Sequence, residues 1–320
     1  MSISAIVPVW NGRDLLARLL DSLAAQTLPI AELLIIDNAS TDGAAELARD
    51  RGARVLAMGR NAGFAPAVNR GIREATQASI AILNTDVELA PDYLEKLAAA
   101  NAPFATGKLV SPAGLLDGTF DLTTRGATTW RAGAGMPDAP PFHEGREITS
   151  APWTAVLYRA EVFHKIGLLE ESFESYLEDV DFGLRCAAHQ VHGRYVPEAR
   201  ATHLGSASLG RWHSETVRRI ARNQLLLSAR HLQSRHIRPA LVGQLLWGGV
   251  AFRHMHGLAW LRGICQGLSL FPAARREFKQ EDPKLLEQAL RSNEEFIRTY
   301  CADSYWRLFF SLAGVGQSDT

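Results

Sequence analysis

An α/β fold, with a mainly parallel sheet flanked by helices and a helical C-terminal extension, is predicted from three observations. The first hundred residues alternate short β-branched apolar runs with segments of helical spacing. Polar residues close three of the predicted strands, where open parallel sheets hold their ligands. Past residue 210 strand signals give way to helical spacing. A chain of 320 residues, 47% hydrophobic, is ample for a buried core and long for one domain. The division expected is 1–210, in halves 1–100 and 101–210, and an extension over 211–320.

The run ISAIVPV at 3–9 reads as a buried strand, and leucines at 15, 16, 19, 20 and 23 place a helix over 14–25. ELLIID at 32–37 is a second strand, and the NASTDG turn at 38–43 feeds a helix over 43–51. A strand at 53–58, a helix at 65–75, a strand at 79–84 and a helix at 91–100 follow. Frequent Gly, Pro and Thr between 104 and 150 loosen the pattern into short strands and loops. A strand at 151–158, a helix at 160–166, an amphipathic helix at 178–189 and short strands at 191–196 and 201–204 come next. The extension reads as helices over 211–234, 237–271 with glycine breaks, 283–300 and a short apolar end at 303–313.

Net charge is zero, yet residues 1–199 carry a net of −8 and residues 200–320 a net of +8. Twelve arginines face a single acid, Glu215, between 200 and 276, which points to a charged partner surface near the back of the chain. Cys186, Cys265 and Cys301 fit neither a zinc site nor a disulfide framework. No signal peptide is visible at the start, so a cytoplasmic protein is expected. The longest uncharged run, 239–252, has 14 residues and is too short to span a bilayer.

The candidate chemistry sits at strand ends. Pro8, Val9, Trp10 and Asn11 end the first strand, Asp37 the second, and Asn84, Thr85 and Asp86 the fourth. Asp37 alone fits a turn cap as well as a ligand contact; three such strand ends together point to a nucleotide pocket. Asn84, Asp86 and Glu88 alternate, so they share a face if the strand continues. A carboxylate there suits Mg or Mn held against a diphosphate, while a plain strand-to-helix turn is the alternative. Glu178, Asp179 and Asp181 open a helix, where the dipole favours acids, with Tyr176 and Phe173 beside them. Crowding raises one carboxyl pKa, as a general base requires. His203 gains meaning only through pairing with these acids.

Five ordered segments then resemble one family: Ile6–Asn11, Leu34–Asp42, Asn61–Gly71, Ile82–Asp92, and Tyr176–Arg185 with His203. Together they resemble the family 2 inverting glycosyltransferases of the GT-A fold, closest to the rhamnosyltransferase-like branch that builds bacterial surface polysaccharides. The resemblance covers about residues 1–210. It implies a nucleotide-binding half at 1–100 and an acceptor and catalytic-base half at 101–210. It places Asp37 on the base of the nucleotide, Pro8, Val9, Trp10 and Asn11 around the nucleoside, and Asn61, Gly63 and Asn69 at the loop near the donor. Asn84, Thr85 and Asp86 occupy the Asp-X-Asp position, with Asp86 and His203 as metal ligands to Mg or Mn. Asp179 is implied as the base, with Glu178 in reserve; Asp181 is assigned to a cap or to pairing with Arg185. Trp153 and Tyr176 are candidate acceptor contacts, Trp153 fitting core packing equally well. Asn84 departs from the family by replacing the first Asp.

The resemblance therefore implies transfer of a sugar, with rhamnose the candidate, from a dTDP or UDP sugar to a hydroxyl of a glycan or lipid-linked acceptor. The rival readings are a nucleotidyltransferase, which lacks here a strong glycine-rich basic loop, and a non-catalytic glycan-binding protein, against which Asp86, Asp179 and His203 speak. A dehydrogenase lacks its G-x-G-x-x-G. No nucleic-acid partner is expected. The arginine-punctuated apolar stretch at 238–276 suits either peripheral contact with an anionic membrane, at the inner face of the cytoplasmic membrane, or burial against a second copy in a homodimer.

Overall fold

The computed structural model describes residues 2–205, 212–277 and 282–315. The first half runs β1 (Ile3–Val9), α1 (Arg13–Ala24), β2 (Glu32–Asp37), α2 (Ala44–Asp50), β3 (Arg54–Ala57), α3 (Phe64–Glu74), β4 (Ser79–Leu83), β5 (Val87–Leu89) and α4 (Tyr93–Ala99). It continues through β6 (Phe104–Val110), β7 (Leu116–Gly118), β8 (Asp121–Thr123), β9 (Thr129–Arg131), β10 (Arg146–Ile148), β11 (Ala155–Arg159), α5 (Ala160–Ile166), α6 (Glu178–Ala188) and β12 (Gly193–His203). The extension holds α7 (Ser214–His231), α8 (Ile237–Arg253), α9 (Gly257–Glu277), α10 (Pro283–Tyr300) and α11 (Ser304–Ala313).

Eight strands lie in the order β10-β12-β6-β11-β4-β1-β2-β3, with β5 and β7 added on β12 and β6, while β8 and β9 form a separate hairpin. The pairs β1–β2, β1–β4, β2–β3 and β6–β12 are parallel, and β11 runs antiparallel between β4 and β6. The chain leaves β1 toward β2 and β3, then crosses back to place β4 on the other side of β1. That reversal is a topological switch point, where the outgoing strand ends leave a crevice.

Helices cover both faces of the sheet, so β1 and β4 are buried almost throughout rather than on alternate residues. One face packs on Leu16, Leu19, Leu20 and Leu23 of α1 together with α2 and α4. The other packs on α3, α5 and α6, and it also takes in Phe120, Trp130, Ile297, Trp306 and Phe309. The last helices of the extension therefore share a core with the sheet.

Within the extension α7 and α9 cross closely. A Cβ on Gly263 would lie 2.3 Å from the Arg218 carbonyl oxygen, and one on Gly267 would lie 3.0 Å from that of Arg222, so only glycine permits the approach. The turn of the β8–β9 hairpin is anchored to α10. Glu294, 2% exposed, accepts from the backbone N–H of Arg125 at 2.8 Å and from its Nη2 at 2.7 Å. Glu287 approaches the same guanidinium at 3.3 Å.

Several element boundaries differ from the sequence expectation, and the strand expected at 151–158 is β11, which begins only at Ala155. The strands at 191–196 and 201–204 are one strand, β12, whose register against β6 shifts between Val196 and Arg200, where Pro197 offers no N–H. The helix at 237–271 is an αα-hairpin, broken where Met255 takes φ 64°. Residue 211, the expected start of the first extension helix, lies outside the described residues, and α7 begins at Ser214.

Candidate active site

The ends of β2, β1 and β4 lie side by side at the switch point, with Val9 opposite Asp37. Trp10 stands at the rim, 42% exposed, and Pro8 is half-buried, whereas the Val9 side chain is buried in the core. Asn11 and Asp37 brace the 38–42 turn from both sides. Asn11 Oδ1 accepts from the Thr41 N–H at 2.9 Å, and Asp37 Oδ1 accepts from the Ser40 N–H at 2.9 Å.

The 61–63 loop is fastened to the segment that leads into α6. Asn61 Oδ1 accepts from the Gly63 N–H at 3.1 Å. Gly63 has φ 95°, and a Cβ there would come within 2.7 Å of the Glu174 carbonyl oxygen. The Ala65 N–H donates to that same oxygen, and the Phe64 N–H donates to Ser175 Oγ. Asn69 lies deeper. Its amide donates to the Leu169 carbonyl and accepts from the Leu169 N–H, both at 2.9 Å, so it braces the 169–171 turn and its amide does not face the crevice. From the far side α7 grips the same segment. Buried Asn223 donates to the carbonyls of Phe173, Ser175 and Tyr176, and Arg222 Nη2 donates to that of Phe173 at 2.7 Å.

Past β4 the chain turns at Asn84 and Thr85, both half-buried, and buries Asp86. Asp86 Oδ1 is buried with no hydrogen-bond partner. Its Oδ2 lies 3.2 Å from His203 Nε2, and His203 Nδ1 meets Asp117 Oδ2 at 2.7 Å. Burial pulls the His203 pKa down, but hydrogen bonds to Asp117 and Asp86 outweigh it and push it up to about 9. Among the described residues no group of three or more His, Cys, Asp or Glu side chains forms a metal cage by itself. The pair Asp86 and His203 nevertheless fits a divalent cation. An orphaned carboxylate oxygen faces it, and a carboxylate behind the imidazole fixes the ring in the manner of metal-binding histidines. Glu88 does not join them: it sits on β5 and forms an ion pair with Arg18 of α1.

At the start of α6 the three acids separate into roles. Asp181 is fully buried and held by Arg185 at 3.0 Å, Arg230 at 2.8 Å and His231 at 2.8 Å. Glu178 is buried, its Oε2 has no partner, and burial with the neighbouring Asp179 charge lifts its pKa well above the carboxylate range. Its carboxyl therefore holds its proton to higher pH than an ordinary glutamate. Burial raises the Asp179 pKa as well, against the pull of Arg131 and of the Val180 and Trp153 N–H groups. Arg131 Nη2 lies 3.6 Å from Asp179 Oδ2, and its Nε lies 3.3 Å from Asp121 Oδ1. Burial pushes Asp121 up to about 6, with Arg131 opposing and Asp179 adding.

The two halves of the site are electrically continuous. Asp86, His203 and Asp117 are in direct contact, and Asp117 belongs to the field that holds Arg131 protonated between Asp121 and Asp179. Asp117, Asp121 and Arg131 were not singled out from the sequence. Their one signal is charge embedded among large apolar neighbours, in Leu116-Asp117-Gly118 and Phe120-Asp121-Leu122.

One of the two expected acceptor contacts needs correction. Trp153 is 2% exposed, packed among Tyr158, Phe163 and Phe182, with its indole N–H donated to the Tyr158 hydroxyl at 3.0 Å. It offers no ring face to a sugar; the core-packing alternative describes it. Tyr176 is half-buried, and its hydroxyl pairs with Thr216 of α7 at 3.0 Å.

The family profile described as Glycosyl transferase family 2 matches residues 4–167, just over half of the chain. The chain belongs to that family. The family's matched span carries Asp37, the Asn84–Asp86 turn and Asp121, and stops short of Asp179 and His203. The chain is 29% identical over 229 residues to an N-acetylglucosaminyl-diphospho-decaprenol L-rhamnosyltransferase of Mycobacterium tuberculosis, covering 61% of this chain and 74% of that protein. It is 32% identical over 224 residues to the O-antigen biosynthesis protein RfbC of Myxococcus xanthus, where the match covers 64% of this chain but only 17% of that longer protein. Among solved structures, GalNAc-T7 with UDP, GalNAc and Mn2+ superposes with a TM-score of 0.65 at 14% identity, covering 94% of this chain and 58% of that one. A mannosyltransferase from Pyrobaculum calidifontis in complex with GDP-Man and Mn2+ gives 0.52 at 14% identity, covering 98% and 86%. These likenesses establish the GT-A fold for the family 2 chain. Among the described residues, no helix is long and apolar enough to cross a membrane.

Proposed function

We propose that the protein is an inverting glycosyltransferase that moves a sugar from a nucleoside-diphosphate sugar to a hydroxyl of a glycan or lipid-linked acceptor. The observation that carries this reading is the line of charge from Asp86 through His203 and Asp117 to Arg131 and Asp179. It puts a cation-ready carboxylate and a raised-pKa carboxylate on one continuous site at the switch-point crevice. The name of the mycobacterial relative, a rhamnosyltransferase acting on a diphospho-decaprenol, supports rhamnose as the sugar and a lipid-linked acceptor.

Asp86 and His203 would hold a divalent cation, Mg or Mn, which supplies Lewis-acid neutralisation of the diphosphate. Asp37, Asn11 and Trp10 line the nucleoside end of the crevice. Arg131 orients Asp179 and favours its charged form. The acceptor oxygen forms its bond to the anomeric carbon as the bond to the diphosphate oxygen breaks. Asp179 takes the hydroxyl proton, the nucleoside diphosphate leaves with the bonding pair, and a single displacement inverts the anomer.

The test is transfer and donor binding on one set of variants. Asp179→Asn should lower transfer by about 10²–10⁴-fold while leaving donor binding, read by thermal shift, nearly intact. Asp86→Ala should weaken donor binding in Mg or Mn and make no difference under a chelator. Turnover above a tenth of wild type in Asp179→Asn, or full activity with excess chelator, would overturn the assignment. A retained anomeric configuration in the product would also overturn it.

A further inference from the structure

We infer that the α8–α9 hairpin is a docking surface for an anionic lipid bilayer. Its turn is the most exposed apolar point among the described residues: Met255 is 90% exposed, with Leu258 at 73% and Phe252 at 55% on either side. Down the outward side of α8, Leu241 and Leu245 continue the exposure at helical spacing, while Gly243 and Gln244 face inward. A soluble surface rarely gathers this much apolar side chain unless something covers it.

Charge decides what covers it. No Asp or Glu occurs between Glu215 and Glu277, so the hairpin carries no acid before the last residue of α9. Arg253 stands beside Phe252, Arg262 beside Leu261, and Arg276 near the end of α9; all three are exposed, and none has an ion-pair partner among the described residues. Packed against α8, helix α11 adds exposed Leu308 and Leu312 with Arg307 and holds no acid either. The core of a dimer interface excludes charge, and a two-fold contact of the hairpin with its own copy would set arginine against arginine. Anionic headgroups balance them directly, while the apolar tip reaches the acyl boundary. Among the described residues no helix is long and apolar enough to cross the membrane, and the contact proposed is peripheral. The inference does not depend on the reaction catalysed.

The experiment is co-sedimentation of the full chain with vesicles containing phosphatidylglycerol, against vesicles of phosphatidylcholine alone. Binding is expected to the first and to weaken steeply as salt rises. Arg253→Gln with Arg262→Gln should lower partitioning by more than about tenfold, near fivefold for each charge. Met255→Glu should abolish it. All three positions are exposed, so unchanged melting temperature and unchanged donor binding show that the variants fold. Equal binding to both vesicle types, or none to either, overturns the inference. So does a dimer in sedimentation that Met255→Glu breaks into monomers, since the second copy is then the occupant.

Discussion

Glu294→Ala tests whether the extension supports the catalytic hairpin. Glu294 makes three kinds of contact with Arg125: to its backbone N–H, to Nε at 3.0 Å and to Nη2 at 2.7 Å. Both side chains are nearly sealed from solvent, 9% and 3% exposed. Removing one partner of a buried pair costs about 3–5 kcal/mol, because the other charge stays behind unpaired. Glu287 remains at 3.3 Å and offsets part of that, which places the loss near the lower bound, about 3 kcal/mol. At about 2.1 cal/mol/K of unfolding entropy per residue, a chain of 320 residues loses about 4–5 °C of melting temperature. Arg125→Met with Glu294→Met should recover most of the loss, since apolar replacement of a buried pair is neutral or better. Urea and thermal melts of the four proteins form the cycle. Transfer should fall in the single variant below its melting temperature, because the hairpin carries Asp121 and Arg131. A loss under about 1 kcal/mol, or a double variant no better than the single, would refute the buttress.

Three further outcomes follow from the site. Ionised Asp179 is required, so transfer is lost as pH falls through its raised pKa; Asp121→Asn removes a neighbouring negative charge and should move that acid limb to lower pH, and an unmoved or raised limb contradicts the pairing. Gly63→Ala forces a methyl into the left-handed region and against the Glu174 carbonyl; a stability loss of about 1–3 kcal/mol with impaired transfer is expected in urea melts and assays, and wild-type behaviour in both would sink the tie between the two loops. Burial alone would raise the Asp181 pKa, but Arg185, His231 and Arg230 hold it well below the ordinary value, with His231 itself kept low by burial and serving through its hydrogen bond. A depressed folded pKa gives stability present above the unfolded value and lost as pH falls, so stability should decline from about pH 5 downward. Asp181→Asn should be less stable at pH 7 and decline less steeply, and parallel pH curves would contradict this.

The alternation that defines the sheet was legible because β1, β2 and β4 are short, β-branched and punctuated by turn residues, and their polar ends mark the crevice on sight. Asp86, Asp179 and His203 were legible as motif residues, although only the fold brings the first and third together. Asp117, Asp121 and Arg131 were not, since β7, β8 and β9 have three residues each and too few positions to show a period. The resemblance put Asn69 at the donor loop; which way its amide faces depends on the 169–171 turn, a hundred residues away. Trp153 failed for the same reason. An aromatic near acids looks like a sugar platform until Phe163 and Phe182 close around it. Breaks at glycines were expected within 237–271; the chain breaks instead between Arg253 and Gly257, where Met255 takes the positive φ.

The grip of α7 and α10 on the sheet half sets the order in which a newly made chain becomes competent. Residues 1–170 can pair most of their strands as they emerge. The segment entering α6, however, has its carbonyls held by Arg222 and Asn223, and the β8–β9 turn waits for Glu294. N-terminal portions settle first during synthesis. The crevice at the switch point is thus assembled early, while the base and its arginine are locked only when the last tenth of the chain arrives. A chain cut before α10 would keep the nucleotide end of the crevice and lose the means to turn over what it binds.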